Sequence, residues 1–355
     1  MTKKFIIPVI AIALLTGGSM AATSNRALAD DQASDSSVMT SSESQSSSDT
    51  TQTKALSKAY VVYGTGLASE DKAKVADALG VKSNYTALTV DGDDYAKYLN
   101  ANGTSNASMI SCVSLAPADP GSGVKVNIVN YDGQDNITKV TSQQYAMVAT
   151  MAGVKDVIIT VTADKAVSGE SALTGVYKAL ANDGLTMDAE NTKAANGVLD
   201  ATQSAIDQNS DDKSYPGKLM SAVGDVSSQL AEDRQSSGQT TSNTQIEVML
   251  RAALKKEGIE SQTSNTTINN IVISLKNVQN SPVSLSKNYV KNASNVANNL
   301  KDSVGDKMAS LKDYANSADA KKAENWFASI WDRIVDFFQG LFYWLMVSLV
   351  ASTGL

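Results

Sequence analysis

The hydrophobic period of this chain changes once, near residue 185, and that change restricts the fold more than any single motif. Up to Gly184, short β-branched runs alternate with amphipathic stretches. The runs AYVVYG, YTALTV, ASMISCVSLA, GVKVNIVNY and VKDVIITVTA read as strands. The stretches SEDKAKVADALG, DDYAKYLNANG, TSQQYAMVATMAG and SGESALTGVYKALAND read as helices. Alternation of this kind argues for one sheet covered by helices. The Pro- and Gly-rich PADPGSG between the third and fourth runs predicts a hairpin, which would make the sheet mixed rather than wholly parallel. Beyond Gly184 the strand signal stops. Residues 187–209 place Ala195, Val198, Thr202 and Ala205 on one stripe, and residues 215–235 do the same with Leu219, Val223, Val226 and Leu230. Two more stripes follow, Ile246, Met249, Leu250 and Ala253, then Ile268, Ile271, Val272 and Leu275. Spacings of three and four are the helical period. Ser214 before Pro216, Gly258 after LRAALKKE, and Pro282 punctuate the connections. The expected fold class is therefore α/β, a mixed sheet covered by helices over 55–185, followed by an all-helical region over 186–281. A long C-terminal helix comes next within 282–322, where Tyr289, Ala293, Val296, Leu300, Val304, Met308 and Leu311 continue one stripe from 285 to about 318.

The beginning of the chain has a different character. Two lysines, an apolar run from Phe5 to Leu15 and the small-x-small site Ala27-Leu28-Ala29 are the three parts of a secretory signal peptide, with cleavage expected after Ala29. The run is shorter than the roughly 20 apolar residues of a spanning helix, and no Cys follows it to carry a lipid. Residues 30–54 are nearly all Ser, Thr, Asp and Gln. They bury too little apolar area to offset their conformational entropy, so a disordered linker is expected there. An extracytoplasmic, cell-envelope location follows. Loss of Lys3, Lys4 and Arg26 with the signal takes the formal charge from −7 to −10. A chain this acidic, without basic runs interleaved with aromatics, is not expected to bind nucleic acid.

The chain has no His and a single Cys. Without imidazole there is no Ser-His-Asp or Cys-His nucleophile system, and no zinc site built on His or paired Cys. Cys112, in the apolar run SMISCVSLA, reads as a small buried hydrophobe, so the exported chain must rely on packed cores. Gly64-Thr65-Gly66, after a strand and before a helix, invites a phosphate-binding reading. The dinucleotide fingerprint needs a third Gly three residues on. Ser69 stands there, and Glu70 and Asp71 would repel a pyrophosphate. Ser69 is instead expected to cap a helix through the N–H of residue 71 or 72. The acidic clusters DGDD at 91–94 and DGQDN at 132–136 lack the alternating ligands and terminal Glu of a calcium loop, and read as a helix start and a turn. VSGESALTG has Ser-x-x-Ser but no Lys three residues after either serine, so Ser168 reads as a helix cap rather than a nucleophile. No catalytic, cofactor-binding or metal-ligating residue is assigned, and no cofactor is expected.

The end of the chain, 323–355, carries all three tryptophans. Phe327, Ile330, Trp331, Ile334, Phe338, Leu341 and Phe342 share one helical face opposite Asn325, Ser329, Asp332, Arg333 and Asp336. Beyond Leu341 the pattern is apolar all round as far as Ala351. A helix of this kind lies in a lipid interface, where an indole keeps its N–H wet. The membrane-contacting residues are expected to be Trp326, Phe327, Ile330, Trp331, Ile334, Phe338, Leu341, Phe342, Trp344 and Leu345. A span from Ile334 to Leu355 is the second reading, opposed by Asp336, Gln339 and the lack of basic residues after Arg333. Packing on its own domain or in a homo-oligomer is the third.

YGTGL at a strand-to-helix turn, GSGVKVNIVN, NITKVTSQQYAMVATMAGVKDVIITV and AVSGESALTGVYKAL, in this order, resemble the YpuA-like family of exported proteins from Gram-positive bacteria, a domain of unknown function numbered one thousand and two. The resemblance covers roughly residues 55–280. It implies an exported envelope protein with no established activity, substrate or catalytic residue. The expectation is thus a non-enzymatic binding or structural module of the cell envelope, held at the membrane by its C-terminal helix, with its ligand unknown. The alternatives are a carboxylate-dependent hydrolase of cell-wall polymers, which needs two carboxyl groups facing across a cleft, and a self-oligomerising envelope module.

Overall fold

The computed structural model describes residues 53–303 together with Gly305 and Met308. Strands β1 (Tyr60–Gly64), β2 (Thr86–Val90), β3 (Cys112–Pro117), β4 (Val124–Ile128) and β5 (Val157–Thr162) form one sheet in the order β2-β1-β3-β5-β4. β1 and β2 are parallel, β4 and β5 are parallel, and β3 runs against both of its neighbours. The sheet is mixed, as the sequence indicates, but the hairpin is not there. β5 lies between β3 and β4, with Thr160 facing Ser114 on one side and Asn127 on the other. As the most apolar run, with Val157, Ile159 and Val161 fully buried, β5 takes a neighbour on each edge. The Asp156 carboxylate accepts from the N–H groups of Gly121 (2.9 Å) and Gly123 (3.1 Å), which holds PADPGSG around the start of β5 and sets β4 on its far side.

Helices α1 (Lys72–Ala78), α2 (Gly92–Leu99), α3 (Ser142–Met151) and α4 (Glu170–Asn182) accompany the strands. Period 2 along β1 divides them. Val61 and Tyr63 pack with Cys112 under Val75 and Leu79, whereas Tyr60 and Val62 join the core on the opposite face. α1 begins later than expected. Ser69 makes a turn through its carbonyl, Asp71 occupies the cap position without capping, and its carboxylate instead accepts from Tyr131 Oη at 2.6 Å. α2 begins as read, since Asp91 and Asp94 form a reciprocal capping box.

The helical region comprises α5 (Ala189–Gln208), α6 (Tyr215–Ser237), α7 (Asn243–Lys256), α8 (Asn265–Asn280) and α9 (Lys287–Leu300). All ten residues of α3 are buried, because the sheet lies on one side of it and α5, α6 and α9 pack on the others. One core therefore runs unbroken from Val62, Leu115 and Ile159 to Leu219, Leu250, Ile271 and Val296. At Gly224 of α6 an added Cβ would lie 2.1 Å from Met147 Cε and 2.9 Å from Ala297 Cβ, so three helices meet where there is no side chain. Of the stripe read from 285 to 318, Lys287–Leu300 is helical, and Val304 and Leu311 lie outside the described residues. Ser303 Oγ donates to the Leu300 carbonyl (2.6 Å), and Gly305 takes φ +61°. α3 is fastened at both ends. Lys54 exchanges backbone hydrogen bonds with Gly153 and Lys155 just past its C-terminus. Near its N-terminus, Gln143 Nε2 donates to Ser303 Oγ (3.1 Å) and to the Gly305 carbonyl (2.7 Å).

Candidate functional site

The four mutually parallel strands end at one edge of the sheet, where Gly64 pairs with Val90, Cys112 with Thr162, and Ile128 with Val161. In open α/β sheets, ligands bind outside the carboxyl ends of the strands. Here a cleft of about 350 Å³ opens between the segment 103–111 after α2 and the segment 167–171 after β5.

Three glycines hold the first of these segments. An added Cβ at Gly64 would lie 2.0 Å from the Met109 carbonyl oxygen, at Gly66 2.4 Å from that of Ala107, and at Gly92 2.2 Å from that of Thr104. Hydrogen bonds fix the same contacts: Gly66 N–H donates to Met109 O (2.7 Å), Thr65 Oγ1 to Asn106 O (3.1 Å), and Gly92 N–H to Asn106 Oδ1 (2.9 Å). The Gly-x-Gly turn thus bears a loop. Thr65 N–H donates to Val90 O and Leu67 N–H to Gly64 O, so the donors a phosphate would need are engaged.

The second segment is set by Gly169 at φ +105°, the residue that caps α4. A Cβ there would meet Tyr145 Oη at 2.6 Å, and Tyr145 donates to the Gly169 carbonyl. Ser168 precedes the cap residue; its hydroxyl accepts from the Glu170 N–H at 3.5 Å and donates to Glu170 Oε2 at 3.3 Å. Tyr95 Oη donates to the same oxygen at 2.7 Å. Burial first, then the Glu170 carboxylate as hydrogen-bond partner and charge, holds the Tyr95 phenol far above its ordinary pKa. No described residue donates to Glu170 Oε1. Deeper in the wall, the hydroxyls of Ser111 and Ser171 lie 2.6 Å apart, and Ala172 N–H donates to Ser111 Oγ (2.9 Å). Seven hydroxyl side chains and one carboxylate line the cleft, with Met109 and Val167 as its apolar side chains and no Lys or Arg. On neighbouring α5, partial burial and the charge of Glu170 push the Asp200 carboxyl up.

Among residues singled out in the sequence, Ser168 reaches the cleft, and Gly64, Gly66 and Gly92 support it. Tyr95, Ser111 and Glu170 were not foreseen, since a long-range approach joins them. Their only local signal is an acidic first turn directly after the most apolar strand. DGQDN is a tight turn, with Asp132 and Gly133 at positive φ and Tyr131 and Gln134 exchanging hydrogen bonds. Cys112 is buried, its thiol pushed up to about 12 by burial. Among the described residues there is no group of three or more metal-type side chains, and no helix is long and apolar enough to cross a membrane. The expected membrane-contacting residues, Trp326 through Leu345, lie outside the described residues.

The sequence profile of the family described as "Protein of unknown function (DUF1002)" matches residues 63–296, from β1 through most of α9. The chain belongs to this family. A curated relative, the uncharacterized protein YpuA of Bacillus subtilis (strain 168), is 36% identical over 128 residues. That segment is 35% of this chain and 42% of the relative, so the likeness spans less than half of either. No solved structure matches the chain. Every element that builds the cleft after the first strand residues falls within the family's limits.

Proposed function

We propose that this chain is an exported, cell-envelope-associated module that binds a small ligand without transforming it, and that its C-terminal segment holds it at the membrane surface. The cleft supports binding through one observation: Glu170, the one carboxylate among its lining residues, is oriented by Tyr95 and Ser168 among hydroxyls. The carboxyl ends of the strands are the ordinary place for a ligand in an open α/β sheet. Hydrolysis of a glycosidic bond needs two carboxyl groups flanking it. That reading would need Asp200, whose carboxyl is pushed up by burial and by the charge of Glu170, as the second group, and Asp200 is not among the lining residues. The amphipathic pattern of 323–355 supports membrane attachment.

A panel of neutral, cationic and anionic small molecules, screened by thermal shift on the full chain, tests the binding role. At least one should raise Tm, lose its effect in Ser108→Trp, which fills the mouth of the cleft, and be recovered unchanged. Recovery of a cleaved product would favour the hydrolase, and a panel without effect would defeat the binding role. A chain ending at residue 322 should be released into the medium while the full chain stays on membranes. Equal release would remove the anchor.

A further inference from the structure

We infer that the ligand of the cleft is a small polyol carrying a protonated amine, an amino sugar being its simplest form. This rests on the cleft being a binding site and adds the chemistry of what it takes.

Hydroxyls reach the cleft from separate segments: Tyr95 from α2, Ser105 and Ser108 from the glycine-held loop, Ser111 from the approach to β3, and Ser168 and Ser171 from the start of α4. Each hydroxyl can donate and accept, and in the exposed pair Ser105–Ser108 (2.9 Å) either oxygen can be the donor, whereas the buried Ser111–Ser171 pair (2.6 Å) is tied to the backbone, with Ser171 Oγ also facing the Ser111 carbonyl at 3.0 Å. A wall that switches donor for acceptor by rotating an O–H suits a ligand made of hydroxyls. With only Met109 and Val167 as apolar lining, an apolar ligand would find few partners.

Glu170 sets the charge. An ionised carboxylate only accepts, and both described donors take Oε2, which leaves Oε1 for a donor on the ligand. The nearby Lys178 ammonium is paired with Asp94 and is not among the lining residues. An anion drawn to the N-terminus of α4 would meet Glu170 in its first turn, and no lining cation would offset the repulsion. A single carboxylate is also a poor cage for a divalent metal ion, which gathers several charged oxygens. An ammonium on a hydroxylated ring satisfies both the carboxylate and the wall.

The experiment follows the amide signals of Gly103 and Gly169 in the 15N-labelled full chain, kept soluble in mild detergent, during titration with glucosamine, glucose and glucose 6-phosphate. Glucosamine should move both signals with an affinity about tenfold above glucose, the difference between a charged and a neutral hydrogen bond. Glucose 6-phosphate should move neither. Glu170→Gln should bring glucosamine to within about twofold of glucose while Tm stays within a few degrees of the parent, and Ser108→Trp should abolish both titrations. Equal affinity for glucosamine and glucose, a preference that survives Glu170→Gln, binding of the phosphate, or no movement of the two glycines would each overturn the amine assignment. Binding of glucose or glucose 6-phosphate in the cleft would leave the binding role standing. With no movement by any probe, the wider panel decides that role.

Discussion

Gly64 and Gly224 both sit where two parts of the chain come too close for a side chain, but the neighbours they admit differ. Gly64, at the end of β1, faces the backbone carbonyl of Met109, which is held in a hydrogen-bonded loop. Gly224, inside the helical half, faces the methyl end of Met147 and the Cβ of Ala297. A thioether end can swing aside, whereas a hydrogen-bonded backbone moves only if the loop moves with it. Small residues therefore serve two purposes here: close helix packing in one half, and a fixed position for a polar loop in the other.

Substitution should separate the two. Gly64→Ala is expected to cost about 3 kcal/mol, the upper end of the overpacking range, and to lose ligand binding at the cleft, measured by urea unfolding and by titration. A loss below 1 kcal/mol would show that the loop yields as easily as a side chain. The halves also differ in how they are tied. Asp183, at the end of α4, accepts from Ser57 N–H (2.8 Å), Ser57 Oγ (2.6 Å) and Tyr60 Oη (2.9 Å), with Lys54 beside it. Burial raises its pKa, but these donors and the Lys54 charge outweigh that and hold it below the ordinary value. The folded pKa is depressed, so the stability it supplies is present above the unfolded value of about 3.9 and lost as pH falls through the folded value. Asp183→Asn should remove about 2 kcal/mol at pH 7 and flatten the acid limb of the Tm profile; an unchanged limb would place acid sensitivity elsewhere.

In the helical half the effects should be no larger than these. Gly224→Ala is expected to cost about 2 kcal/mol while leaving the cleft signals in place, because Met147 can repack but α9 must give slightly at Ala297. Ser227 and Tyr289 share a buried neutral hydrogen bond of 2.7 Å, so Tyr289→Phe should cost about 1 kcal/mol, independent of pH between 4 and 8. A pH-dependent loss would mean that the neutral tie senses a charge.

Sequence pattern made the strands, the helices and the change of period near residue 185 legible, because burial imposes its period locally. The hairpin failed for the opposite reason. What separates β3 from β4 is β5, which arrives some thirty residues later, and Gly121 and Gly123 of PADPGSG donate to Asp156 beside its start. Gly64 and Gly66 stood out at once, but their role depends on Ala107 and Met109, which no local window contains. Glu170 was visible only as a helix-start residue. Its partner Tyr95 lies 75 positions away, and only the fold brings the phenol to the carboxylate.

The fastening of α3 has a mechanical consequence. Lys54 is bonded beside the C-terminal end of the helix, and Ser303 and Gly305 beside its N-terminal end. Opposed pulls at Lys54 and Gly305 would load this wholly buried helix together with the starts of β1 and β5, which Lys54 also joins. Tyr145 of the same helix donates to the Gly169 carbonyl in the cleft wall, so a load along the helix would reach the cleft through that one hydrogen bond.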